Sequence, residues 1–110
     1  MVLRVVFDGG SLGNPGRGYG SYRVGAADGG WSSPVKLDFG PAVTSNEAEY
    51  RALIAALDSV EREHGEARDL VVEVMGDSRL VLNQMAGRWK VRAENLRPLH
   101  DAARRSAERF

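Results

Sequence analysis

The sequence predicts an α/β fold built on a mixed sheet, with elements in the order β-β-β-α-β-α-α. Three observations predict it. Three strand-like runs follow one another near the N-terminus with short, glycine-rich links, which favours an antiparallel meander. A capping-box spacing, Thr44-Ser45-Asn46-Glu47, then opens a long helical pattern. Finally, an apolar run at Leu70–Met75 follows that helix, so a right-handed crossover sets a fourth strand parallel to the first.

Each element has its own signal. Val2–Phe7 is an apolar run and reads as strand one, ending at a carboxylate, Asp8. The turn-rich Gly9–Gly16 leads to strand two, about Tyr19–Val24, and Ala26-Ala27-Asp28-Gly29-Gly30 makes a hairpin link to strand three, about Trp31–Phe39. Gly40–Val43 reads as a loop. The helix runs from the capping box to about Glu63 and stops at His64-Gly65. Gly76-Asp77-Ser78 leads from strand four into a short helix, Arg79–Ala86, ended by Gly87. Gly87-Arg88-Trp89-Lys90-Val91-Arg92 is a basic loop with one aromatic. The last helix begins near Asn95, with Pro98 tolerated in its first turn and Leu99, Ala103 and Phe110 at helical spacing.

Length and composition bound what such a fold can do. At 110 residues the chain is expected to form one domain with one core. It has no cysteine, which excludes disulfides, thiolate chemistry and cysteine-type zinc sites. No apolar run approaches membrane-spanning length, and no signal-peptide pattern opens the chain, so a cytoplasmic location without membrane attachment is expected. The net charge of zero hides an asymmetry. Residues 79–110 carry eight basic and three acidic side chains, a balance of +5, leaving −5 on residues 1–78. An acidic part beside a basic part fits a metal centre next to a polyanion track, and fits equally a solvated helix face.

The candidate chemistry lies in three carboxylates. On the long helix, Glu49 heads the stripe Leu53, Ala56, Leu57, Val60 that faces the sheet, whereas Glu47 shares a face with Arg51 and Asp58. Glu47 therefore suits capping and an i+4 pair with Arg51; Glu49, on a buried stripe, wants a cation. Asp77 reads as an N-cap for the short helix, and Asp8 as a turn residue, if each is taken alone. Taken together, parallel strands one and four bring Asp8 and Asp77 to neighbouring carboxyl ends, and the helix brings Glu49 to the same rim. Three acids there would repel one another without a divalent cation, and oxygen donors with no Cys and no nearby His favour Mg²⁺ or Mn²⁺.

Asp8-Gly9-Gly10-Ser11-Leu12-Gly13-Asn14-Pro15-Gly16, Thr44-Ser45-Asn46-Glu47-Ala48-Glu49-Tyr50 and Gly76-Asp77-Ser78-Arg79-Leu80-Val81 together resemble type 1 ribonuclease H of the bacterial and archaeal kind. Gly87-Arg88-Trp89-Lys90-Val91 and Asn95–Leu99 extend the likeness, which is collinear over nearly the whole chain. The resemblance implies an RNase H-like mixed sheet and hydrolysis of the RNA strand of an RNA–DNA hybrid by two metal ions. It makes Asp8 the bridging carboxylate and sets Glu49 and Asp77 on the leaving-group ion, with Glu49 also touching a 2′-hydroxyl. It sets Ser11, Asn14, Asn46 and Arg79 against the minor groove and backbone of the hybrid, and Trp89 and Lys90 near the DNA strand.

The family continues into a fifth strand and a final helix bearing a fourth aspartate, with a mobile histidine nearby; this chain stops at Phe110, before them. Neither His64, at a helix end, nor His100, expected on the surface of the last helix, replaces that histidine. A catalytically weak or inactive hybrid-binding module of the same fold, and a short form completed by dimerisation through the open edge of strand four, are therefore the alternatives to an active nuclease. An unrelated Mg²⁺-dependent phosphohydrolase would want a second acid two residues after Asp8, where Gly10 stands.

Overall fold

The computed structural model describes every residue but Ala27, which lies in the expected Ala26–Gly30 hairpin link. Its elements are β1 (Val2–Leu12), β2 (Gly16–Ala26), β3 (Val35–Val43), α1 (Ser45–His64), β4 (Val71–Gly76), α2 (Arg79–Met85) and α3 (Arg97–Ala107). The strands form one sheet in the order β3-β2-β1-β4, with β1 antiparallel to β2 and parallel to β4. The expected topology is thus the observed one.

β1 alternates. Leu3, Val5 and Phe7 are buried against α1, which returns Leu53, Ala56, Leu57 and Val60 from a single stripe. α1 opens with the full capping box. The Thr44 hydroxyl oxygen accepts from the Glu47 N–H at 3.1 Å, and the Glu47 carboxylate accepts from the Thr44 N–H at 2.8 Å. α3 packs on α1 through Ala103 and Ser106, whose hydroxyl donates to Asp58 at 2.8 Å. On the far side β4 is an open edge, with Val71 and Met75 exposed. Among the described residues no helix is long and apolar enough to cross a membrane.

Several local expectations are corrected. β1 does not end at Phe7. It runs to Leu12, because Asp8 through Leu12 keep the ladder with Ser21 through Arg17 across a tight turn at Gly13-Asn14-Pro15. Asp8 is therefore inside a strand, exposed, and not a turn residue. Gly40–Val43 is no loop but the end of β3, which reaches Gly16 through register shifts, with Gly40 and Ala42 at positive φ. Trp31 stands outside β3, in an isolated bridge to Gly25. The last helix starts at Arg97 rather than Asn95 and has no side-chain cap.

Candidate active site

The β1–β4 register decides where the acids fall. The last parallel pair is Phe7 with Gly76, so Asp8 and Asp77 are the next residues on two adjacent strands, which run roughly 4.8 Å apart in a sheet. β4 ends there because Asp77 turns the chain into α2, whose N-cap is Ser78: its hydroxyl oxygen accepts from the Val81 N–H at 3.2 Å. Glu49 arrives from above. At Gly9, immediately after Asp8, α1 lies directly on β1: a Cβ there would be 2.5 Å from the carbonyl carbon and oxygen of Ala48 and 2.6 Å from the Glu49 nitrogen. The absence of a side chain at Gly9 lets the first turn of α1 settle onto the strand and carries Glu49 to the rim.

The electrostatics agree with that placement. Burial pushes the Glu49 carboxyl above the usual 4.5, and the charges of Asp8 and Asp77 push it further the same way, against an opposing hydrogen bond from Ser78. Glu49 Oε2 is buried with no hydrogen-bond partner, the one such side-chain atom found among the described residues. A buried carboxylate oxygen without a donor, held beside two more acids, fits a divalent cation bound by oxygen ligands. The three acids are not drawn into a closed cage, since among the described residues no three acidic or histidine side chains stand close enough to enclose an ion.

Glu47 is the contrast. The Thr44 backbone N–H, and more weakly the Thr44 hydroxyl, Asn95 and Arg51, hold its carboxyl below the usual value. Its role is the cap.

The six residues expected to meet substrate divide into groups. Asn14 and Asn46 line one cleft of about 270 Å³ with Thr44, Ser45, Asn95 and Leu96. The Asn14 amide oxygen accepts from the Ser45 N–H at 3.1 Å, which ties the β1–β2 turn to the start of α1. Ser11 does not line that cleft. Its hydroxyl donates to the Val43 carbonyl at 2.6 Å, tying the end of β1 to the end of β3. Arg79 is exposed at the start of α2, beside Asp77. Trp89 and Lys90 line a different cavity, against α3. Sequence reasoning missed Thr44, Ser45 and Asn95 as lining residues; Asn95 carried no signal, because a loop distant in sequence delivers it. It also missed Gln84, buried, which accepts from the Tyr50 hydroxyl at 2.6 Å and donates to the Lys90 carbonyl at 3.3 Å. Burial raises the Tyr50 pKa to about 12, so the phenol stays a donor. His100 is not a free surface residue: it is half-buried, its Nε2 lies 3.3 Å from the Gln84 carbonyl, and its ring meets Tyr50 edge-on.

Comparison with known proteins follows this geometry. The family model described as "Reverse transcriptase-like" matches residues 7–110. The solved RNase H1 of the halophilic archaeon Halobacterium salinarum is 34% identical, with a TM-score of 0.89 over 100% of this chain and 80% of that one. LC11-RNase H1, solved in complex with an RNA/DNA hybrid, is 29% identical, with a TM-score of 0.89 over 96% of this chain and 76% of that one. A bifunctional protein of Mycobacterium tuberculosis is 44% identical over the whole of this chain, which covers 29% of its length. The chain belongs to the ribonuclease H family. It spans less than half the length of the curated relatives it matches.

Proposed function

We propose that this chain is a ribonuclease H that hydrolyses the RNA strand of an RNA–DNA hybrid, with Asp8, Glu49 and Asp77 holding Mg²⁺ or Mn²⁺. The observation that carries this reading is Glu49: a carboxylate with a buried, unpartnered oxygen, raised in pKa first by burial and further by the charges of Asp8 and Asp77. Divalent ions held by these acids would supply the charge that stabilises the attacking and leaving oxygens of an in-line displacement, for which two ions suffice. Asp8, exposed, next to Asp77 on the adjoining strand and followed by Gly9, on which the α1 backbone at Ala48 and Glu49 rests, is suited to bridging. Asn14, Asn46 and Asn95 offer amides to a sugar hydroxyl and to backbone oxygens, and the 2′-hydroxyl is what distinguishes RNA from DNA. Thr44 and Ser45, at the start of α1, place that polar cleft within one turn of Glu49.

The test is cleavage of an end-labelled RNA–DNA hybrid across a Mg²⁺ and a Mn²⁺ series. The expected result is endonucleolytic cutting of the RNA strand; no cutting at any metal concentration overturns the reading. A second reading, a hybrid-binding module with weak catalysis, is favoured by the absence of a closed carboxylate cage among the described residues. It predicts hybrid binding with a single metal site, and two sites by calorimetry contradict it. Pairing of two copies through the open edge of β4 rests on exposed Val71 and Met75 alone; a monomer mass by light scattering contradicts it.

A further inference from the structure

Gly10 stands two residues past Asp8 on β1, so the two share the face of the sheet turned away from α1, opposite to Gly9. Asp8 is exposed on that face, yet Gly10 is buried. What covers Gly10 is Tyr19, its partner in the β1–β2 ladder. A Cβ at Gly10 would lie 2.5 Å from the Tyr19 hydroxyl oxygen, 2.7 Å from Cζ and 3.2 Å from Cε2. The ring therefore crosses from β2 and lays its hydroxyl end on β1. Two residues of strand span about 6.7 Å, which sets the phenol within one phosphate group's reach of Asp8. β4 pairs with β1 only as far as Phe7 and Gly76, so beside Gly10 no strand separates the phenol from the carboxylate rim.

A ring is enough to cover a strand glycine; a hydroxyl is not needed for that. Of the three tyrosines, Tyr50 is buried and donates to Gln84, and Tyr22 lies in the core. Tyr19 is 47% exposed, and among the described residues its hydroxyl makes no hydrogen bond. The acid opposite it on β3, Asp38, is already engaged by Arg17 and by the Gly40 N–H at 3.0 Å, and so does not draw the phenol away. The result is a neutral donor beside three carboxylates, which when ionised can only accept.

We propose that Tyr19 is a further substrate-contacting residue, its hydroxyl donating to a phosphate oxygen of the RNA strand alongside Asp8. The proposal rests on the nuclease reading for the identity of the strand and of the acids. Tyr19→Phe keeps the ring on Gly10 and removes the hydroxyl alone. It should leave the melting point unchanged and lower kcat/KM on a labelled hybrid about tenfold, the scale of one hydrogen bond to a charged acceptor. Gly10→Ala drives a methyl into the far end of an exposed side chain that can swing aside, so the chain should fold and show the same loss. The two changes together should cost little more than either alone, because both remove one contact. Binding supplies a readout without cleavage. Affinity for a labelled hybrid is measured by fluorescence anisotropy without divalent ions, with single RNA phosphates replaced in turn by uncharged methylphosphonates. At one position the replacement should cost the unaltered chain several times more affinity than it costs Tyr19→Phe. Tyr19→Phe equal to the unaltered chain in kcat/KM, with Tyr19→Ala alone impaired, overturns the proposal, since the ring would then serve only to cover Gly10. So does a scan in which no position tells the two chains apart. No cleavage by the unaltered chain, with one position still distinguishing the two in binding, would sink the nuclease reading and leave the contact standing.

Discussion

Two carboxylates, two residues apart near the start of α1, have opposite fates. Glu47 is satisfied: it closes the capping box, with Arg51 and Asn95 in support, and its carboxyl is held below the usual 4.5. Glu49 is frustrated: half-buried, short of a donor, crowded by Asp8 and Asp77, and held above 4.5. One serves the scaffold, and the other is the one proposed for the chemistry. A site that strains against the fold marks where a missing partner is expected to act.

The sharpest way to break this contrast is Asp8→Asn. An amide cannot replace a bridging charge, so cleavage in Mg²⁺ should fall about 100-fold or more; activity near wild type would remove Asp8 from the site. Glu49→Gln should nearly match it in cleavage yet stabilise the fold. The sign follows from the raised pKa. Below pH 4.5 Glu49 is protonated folded and unfolded, and nothing is lost; as pH rises through the raised value, ionisation costs the native state more than the unfolded chain. At neutral pH the variant should therefore melt roughly 3–6 °C higher, with the gain vanishing at acid pH. Added Mg²⁺ should raise the melting point of the unaltered chain more than that of the variant.

Gly9→Ala comes next. Its Cβ would collide with the Ala48 carbonyl, costing about 1–3 kcal/mol in denaturant unfolding. It should also raise the Mg²⁺ concentration needed for half-maximal cleavage by displacing Glu49. Thr44→Ala should cost about 1 kcal/mol through the lost cap. Glu47→Gln is the mildest, about 0.5 kcal/mol near neutral pH. Because its carboxyl is depressed, that contribution is present above pH 4.5 and fades as pH falls through the lower folded value. Cleavage should barely change. A loss as large as that of Glu49→Gln would mean that the two glutamates have been assigned the wrong way round.

The features legible in the sequence were those written in short spacings. Thr44 and Glu47 are three residues apart, and the cap forms as read. Glu49 heads a 3.6-residue stripe, and its burial follows. The parallel setting of β4 came from a handedness rule that needs only the order of elements. What escaped was decided by contacts distant in sequence. Nothing within Asp8-Gly9-Gly10 announces a strand, since glycine is a poor strand former; the ladder to Ser21 and Gly20 makes it one. Gly40-Pro41-Ala42 has the composition of a loop, and pairing with β2 turns it into the irregular end of β3. Asn95 and His100 acquire partners only when α3 docks, Asn95 beside Asn14 and His100 on Tyr50 and Gln84.

The parallel pairing of Val2 with Val71 has a kinetic consequence. The meander of β1, β2 and β3 closes short loops, whereas docking β4 closes nearly the whole length of chain between those two valines, at a greater entropic cost. Pulse-labelled amide exchange during refolding should accordingly protect Val5 and Val24 before Val74. Asp8 and Asp77 would then become neighbours only at the final docking, so their repulsion burdens the last step of assembly and spares the early ones.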